Sequence, residues 1–147
     1  MKTRVLLVDD EKDFVEQLAE RLRIRDYYVV TSTNPQDAVQ KVKEYNFDVV
    51  ILDVVMPKMD GIEALRLIKQ LKPLTEVIML TGRATVETAI EGMKLGAYDY
   101  LMKTCGTEEL VSKIDKAKER KADQEERIRA AKVKEIISSP RSTLKDE

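Results

Sequence analysis

The stretch Val5-Leu6-Leu7-Val8-Asp9-Asp10-Glu11 runs four apolar residues straight into three acids. An apolar run without alternation suits a strand buried on both faces, as in a parallel sheet. Carboxylates at the end of such a strand repel one another and resist burial while ionised, unless a cation sits among them. The stretch therefore predicts both a central strand and a use for charge at its carboxyl end.

Four further apolar runs follow: Val29-Val30 with their flanks, Val49 to Leu52, Val77 to Leu80, and Tyr98 to Met102. Helical spacing fills the intervals. Phe14, Leu18 and Leu22 stand four apart, and Asp13 with Glu16 reads as a capping pair ahead of that face. Asn34-Pro35 offers a cap and a first-turn proline before Ala38, Val39 and Val42. Leu65, Ile68 and Leu71 mark a third helix closed by Pro73, and Val86, Ala89, Ile90 and Met93 a fourth closed by Gly96. Leu110, Val111, Ile114 and Ala117 open a fifth. Strand and helix repeated five times predict a parallel sheet covered by helices on both faces. Ligands of such sheets gather at the carboxyl ends of the strands, near the point where strand order reverses.

The chain has 147 residues, enough for one domain and an additional segment. Residues 1–115 carry 16 Lys and Arg against 20 Asp and Glu, and residues 116–147 carry 10 against 7. The compact part is acidic and the rest mildly basic, with no overall field that singles out nucleic acid or a membrane as partner. Cys105 is the only cysteine, which excludes an internal disulfide and fits a cytoplasmic setting. No histidine is present, so a histidine-based acid, metal ligand or phosphoryl carrier has to come from a partner. From residue 116 a charged run without glycine or proline reaches to Pro140 and reads as a continuation of the fifth helix. Its 4,3 spacing through Leu110, Ile114, Ala117, Lys121, Gln124, Ile128, Ala131 and Glu135 is a weak coiled-coil signal, three of the eight positions being polar. The expected organisation is a domain over 1–117, a helical extension over 118–137 and a disordered 138–147.

The residues just after the strands form a set: Asp9, Asp10 and Glu11 after the first, Asp53 after the third, Thr81-Gly82 after the fourth, Lys103 after the fifth. Oxygen ligands with no histidine or cysteine favour Mg²⁺ over zinc. A cation beside a carboxylate lets that carboxylate attack a phosphoryl group by shielding the incoming charge. Lys103 adds a second positive charge, and the Thr81 hydroxyl is suited to donate to a phosphoryl oxygen, with Gly82 leaving room beside it.

The motifs "LLVDDE", "VVILDVVMPKMDGIEAL", "VIMLTGRA" and "GAYDYLMK" resemble those of the receiver domains of bacterial two-component response regulators, over about residues 3 to 117. The resemblance implies a doubly wound five-stranded parallel sheet of flavodoxin-like order 2-1-3-4-5, with helices on both faces and here an extended C-terminal helix. It implies Asp53 as phosphoacceptor, and Asp10 as a Mg²⁺ ligand with Asp9 acting largely through water. The backbone carbonyl of Val55 would be a further ligand, Thr81 and Lys103 would contact the phosphoryl group, and Tyr100 would be the switch aromatic. The implied donor is a phosphohistidine on a sensor histidine kinase or histidine phosphotransfer protein. The implied response is a change in the face made by the fourth helix, fifth strand and fifth helix, which would bind a partner or a second copy. Such a protein phosphorylates itself and is not a turnover enzyme. Its partners are proteins, with neither nucleic acid nor membrane bound directly.

Two positions depart from the commonest pattern or refine it. Thr104 stands where the family usually has proline, and a cis bond before a non-proline residue costs about 2.5–4 kcal/mol, so a trans bond is expected here. Val55 and Arg83 lie two residues past Asp53 and Thr81, positions that influence hydrolysis in the family. Val55 offers no polar group to orient water, which predicts a long-lived phosphoryl group. An aspartate-nucleophile phosphatase is the nearest alternative, but Val55 stands where its second acid would be. A receiver that binds without being phosphorylated is the other, and no key residue is missing. The stretch "TVETAIEGMKLGAYDYLMK" resembles receivers that precede ATPase output domains, so both a stand-alone receiver and the front of a longer regulator are open.

Overall fold

The computed structural model describes residues 1–56, 59–82 and 86–138, with backbone alone at 55, 56, 59 and 60. Five strands, β1 (Arg4–Val8), β2 (Tyr28–Ser32), β3 (Val49–Leu52), β6 (Glu76–Thr81) and β7 (Asp99–Met102), form one parallel sheet in the order β2-β1-β3-β6-β7. This is the expected 2-1-3-4-5 order. Two short strands, β4 (Val55–Met56) and β5 (Met59–Asp60), add an antiparallel pair that the apolar runs do not announce.

Alternation along each strand divides the core. Val5 and Leu7 of β1 pack with α1 (Lys12–Ile24) and α5 (Thr107–Ser138) on one face. Leu6 and Val8 face the opposite way, toward α2 (Pro35–Glu44) and α3 (Gly61–Leu71). The short α4 (Val86–Lys94) joins this second face through Gly92, where a Cβ would fall 2.1 Å from Met79 Sδ. Gly96, with φ +104°, supplies the left-handed turn that ends α4.

Local signals held unevenly. Asn34 caps α2 as expected, its Oδ1 accepting the Asp37 N–H at 2.8 Å with Pro35 in the first turn. The Asp13–Glu16 capping pair does not form. The cap position of α1 is Glu11, whose side chain makes no capping bond and is engaged with Lys103 instead. The apolar stripe of α4 is not a core stripe either. Val86, Ile90 and Met93 are 75%, 50% and 44% exposed, because the helix sits on the sheet through Gly92.

α5 passes residue 117 without a break. Leu110, Ile114 and Ala117 are buried against the helix's own sheet, and Tyr27 donates to Asp115. The first half of the 4,3 pattern is thus used inside the chain. Beyond it, Arg120 donates twice to Glu76, which opens β6 and is 0% exposed; the Nη2–Oε1 contact is 2.9 Å. Arg120 also lies over the Tyr98 ring at 4.7 Å, and Lys69 stands 3.7 Å from the same carboxylate. Lys121 reaches Asp48 at 3.5 Å, and Asp48 also accepts the Arg4 N–H at 2.9 Å. The expected disorder of 138–147 falls outside the described residues, save Ser138, which ends α5.

Removing one partner of a buried ion pair leaves an uncompensated charge, at about 3–5 kcal/mol. Arg120→Ala, or a chain ended after Ala117, is expected at about 3 kcal/mol of lost stability, the low end of that range, because Arg120 is half exposed and Lys69 remains. A lower urea midpoint at unchanged slope is the readout.

Candidate functional site

The strand order reverses between β1 and β3, and the acids gather there. Asp9 N–H donates to Ser32 O at 3.1 Å and Asp53 N–H to Val8 O at 3.0 Å, so the ladders that join β1 to its neighbours also place both carboxylates at the rim. Asp9 and Asp53 are buried, Asp10 is exposed, and one carboxylate oxygen from each lies within 4.8 Å of the others. Three hard oxygen donors without histidine or cysteine fit Mg²⁺.

β7 brings the opposite charge. Lys103 N–H donates to Thr81 O at 2.9 Å, which fixes the lysine beside the buried end of β6. Its Nζ lies 2.7 Å from Asp9 Oδ2, 2.7 Å from Glu11 Oε1 and 3.4 Å from Asp53 Oδ2, with the side chain only 11% exposed. Its stem passes Gly82, where a Cβ would stand 3.7 Å from Cδ. No peptide bond among the described residues is cis, so Thr104 follows Lys103 through a trans bond, as expected, and the lysine still reaches all three acids.

One ammonium thus meets three carboxylates. Burial pushes the Asp9 carboxyl up to about 6, against the opposing hydrogen bonds from Lys103 and the Glu11 N–H. Burial pulls Lys103 down, yet its bonds to Asp9 and Glu11 outweigh that and hold it above the usual lysine range. The directions agree physically: the lysine gains from every acid, while each acid shares one lysine.

Tyr100 is half-buried on β7, its hydroxyl 3.3 Å from Met102 Sδ. With Ala89, Ile90, Met93, Lys94 and Asp99 it lines an open groove of about 470 Å³ between α4 and β7. Val55 sits in β4, paired with Asp60 of β5. The Val55 side chain and Arg83 lie outside the described residues. Cys105 is half-buried, and burial pushes its thiol up, away from the reactive thiolate. The residues after the strands thus meet at one rim, while Tyr100, within β7, stands at the sheet edge. Phe14 of α1 packs against the core as its helical spacing implies, and its ring also lies under Lys103, a contact that the spacing does not announce.

The family described as "Response regulator receiver domain" matches residues 5–115. The chain belongs to that family. It is 39% identical over 113 residues to the "Transcriptional regulatory protein ZraR" of Escherichia coli K12, covering 77% of this chain and 26% of that protein. The receiver therefore spans about a quarter of the length of that relative. Among solved structures, a CheY-like receiver domain protein from Methanospirillum hungatei JF-1 superposes with a TM-score of 0.81 at 26% identity, over 84% of this chain and 99% of that one. The beryllofluoride-activated NtrC4 receiver domain dimer matches with a TM-score of 0.75 at 37% identity, over 80% and 98%. The receiver's relatives are response regulators rather than turnover enzymes.

Because Asp9 is raised from its unfolded value near 3.8 to about 6, the metal-free native receiver binds more protons than the unfolded chain across that interval. The stabilising contribution is complete below about pH 4 and is lost as pH rises through about 6. Relative to Asp9→Asn, the wild type is expected to lose up to about 3 kcal/mol over that window, read by urea denaturation at stepped pH in EDTA.

Proposed function

We propose that the receiver takes a phosphoryl group onto Asp53 from a phosphohistidine of a sensor histidine kinase or histidine phosphotransfer protein. The observation that carries this reading is the meeting of Asp9, Asp10 and Asp53 within 4.8 Å, with Lys103 bridging Asp9 and Asp53. An Asp53 carboxylate oxygen attacks phosphorus, the bond to the histidine nitrogen breaks, and an acyl phosphate remains. The oxygens of Asp9, Asp10 and Asp53 and the backbone carbonyl of Val55 would hold Mg²⁺, which offsets the repulsion between the carboxylate and the incoming phosphoryl oxygens. Lys103 and the Thr81 hydroxyl then contact those oxygens, in the manner of preorganised donors.

The phosphoacceptor unit is residues 1–117, stapled through Arg120 and Lys121 to a helical extension over 118–137. Its output is the face of α4, β7 and α5, with Tyr100 on β7 and Thr81 at the end of β6 acting as switch residues. That face exposes Val86, Ile90, Met93 and Met102, an apolar patch suited to a protein partner or a second copy. The NtrC4 neighbour is described as an activated receiver dimer, which supports the second copy; the extension of α5 is a further route to a dimer. The acidic balance of the compact part favours neither nucleic acid nor membrane as direct partner, and no described helix is long and apolar enough to cross a membrane. A cytoplasmic location follows from the donor. ZraR is named a transcriptional regulatory protein, so control of transcription would be executed by segments outside the receiver.

Acetyl phosphate with Mg²⁺ is expected to add one phosphoryl mass to the wild type, none to Asp53→Ala, and none to either in EDTA. Equal labelling of both proteins overturns the assignment. The phosphoryl group should persist well beyond seconds after donor removal, Val55 supplying no group to orient water; decay within seconds of radiolabel chase contradicts that.

A further inference from the structure

Lys103 is held from two directions by the first turn of α1. Glu11 accepts from its Nζ at 2.7 Å, and the Phe14 ring centroid lies 4.7 Å from the same nitrogen, inside the range of a cation–π contact. Glu11 and Phe14 are three residues apart and share one side of that turn. The backbone of Lys103 is fixed by Thr81 O. Its four-carbon stem is not fixed by that bond, and the position of the ammonium depends on what meets its end.

The two kinds of contact respond differently when charge at the rim changes. Asp9, Glu11 and Asp53 are anions, and each bond they make to Lys103 weakens when another cation or a phosphoryl group engages them. The Phe14 ring is uncharged and takes part in neither exchange. Its attraction for the ammonium persists in every state of the rim. The ring also covers the ammonium from water, consistent with a lysine side chain only 11% exposed beside an exposed glutamate.

We propose that Phe14 is a positioning residue for Lys103: its ring face keeps the ammonium at the Asp53 rim while the carboxylates around it change partners. The proposal rests on the reading of Asp53 as phosphoacceptor. Its geometric half is testable without phosphorylation.

In metal-free protein carrying isotopically labelled lysine, the Lys103 ε-methylene protons are expected upfield of the other lysines in wild type and Phe14→Tyr. In Phe14→Leu they should return to the common position. Ordinary shifts in the wild type overturn the contact. For function, initial rates of Asp53 labelling by acetyl phosphate and Mg²⁺ are compared in a double-mutant cycle, at temperatures where urea titration shows every variant folded. Phe14→Leu is expected to slow labelling about threefold in the Lys103 background, the size a partly exposed cation–π contact supports. It should have no effect in the Lys103→Ala background, and Phe14→Tyr should restore the rate. Equal slowing in both backgrounds assigns Phe14 to packing and overturns the proposal. Labelling of Asp53→Ala at the wild-type rate would instead sink the phosphoacceptor reading, while the proton shifts still decide whether the ring holds the lysine.

Discussion

The ammonium of Lys103 stands among the carboxylates of Asp9, Glu11 and Asp53, and the upper rim of the sheet is arranged around that contact. The components come from three carboxyl ends: Asp9 and Glu11 follow β1, Asp53 follows β3 and Lys103 follows β7. Without the lysine, two buried aspartates would face each other with a third beside them. With it, the repulsion is reduced, and burial still pushes Asp9 up to about 6. Three carboxylate oxygens within 4.8 Å of one another are a donor set of the kind a hard divalent cation takes.

The lower end of the same sheet holds another buried acid. Glu76 begins β6 and is fully buried, but two bonds from Arg120 and the approach of Lys69 match it. Thr81 ends the same strand at the rim. One strand therefore connects an acid met by two cations at its base to the carboxylate cluster around Lys103 at its top. The two clusters serve different ends: the Arg120–Glu76 pair anchors α5 to the sheet, and the acids gathered around Lys103 at the rim make a candidate site.

Helical periodicity showed where the helices are more reliably than which way they face. The i, i+4 stripe of α1 is buried as its spacing implies, with Leu18 and Leu22 in the core. The equally apolar stripe of α4 is exposed, since Gly92 rather than Ile90 or Met93 meets Met79. Glycine adds nothing to a hydrophobic pattern, yet it permits the closest approach of helix to sheet. The displaced apolar residues become surface for a partner. Similarly, the 4,3 pattern of α5 suggested a second helix, and its first turns pack on the receiver's own sheet.

By itself the sequence determined the five apolar strands, their alternation with helices, and the acids, threonine and lysine that follow them. Those features are local, since a run of four apolar residues or an aspartate after a strand can be read without knowing its neighbours. Only the tertiary structure decided that Glu11 holds Lys103 rather than capping α1, that Phe14 lies beneath the ammonium, and that Arg120 reaches back 44 positions to Glu76. Each joins residues distant in the chain through a charge buried on folding. Which partner meets a buried charge is set by the packing of whole elements, a choice that spacing along one element does not contain.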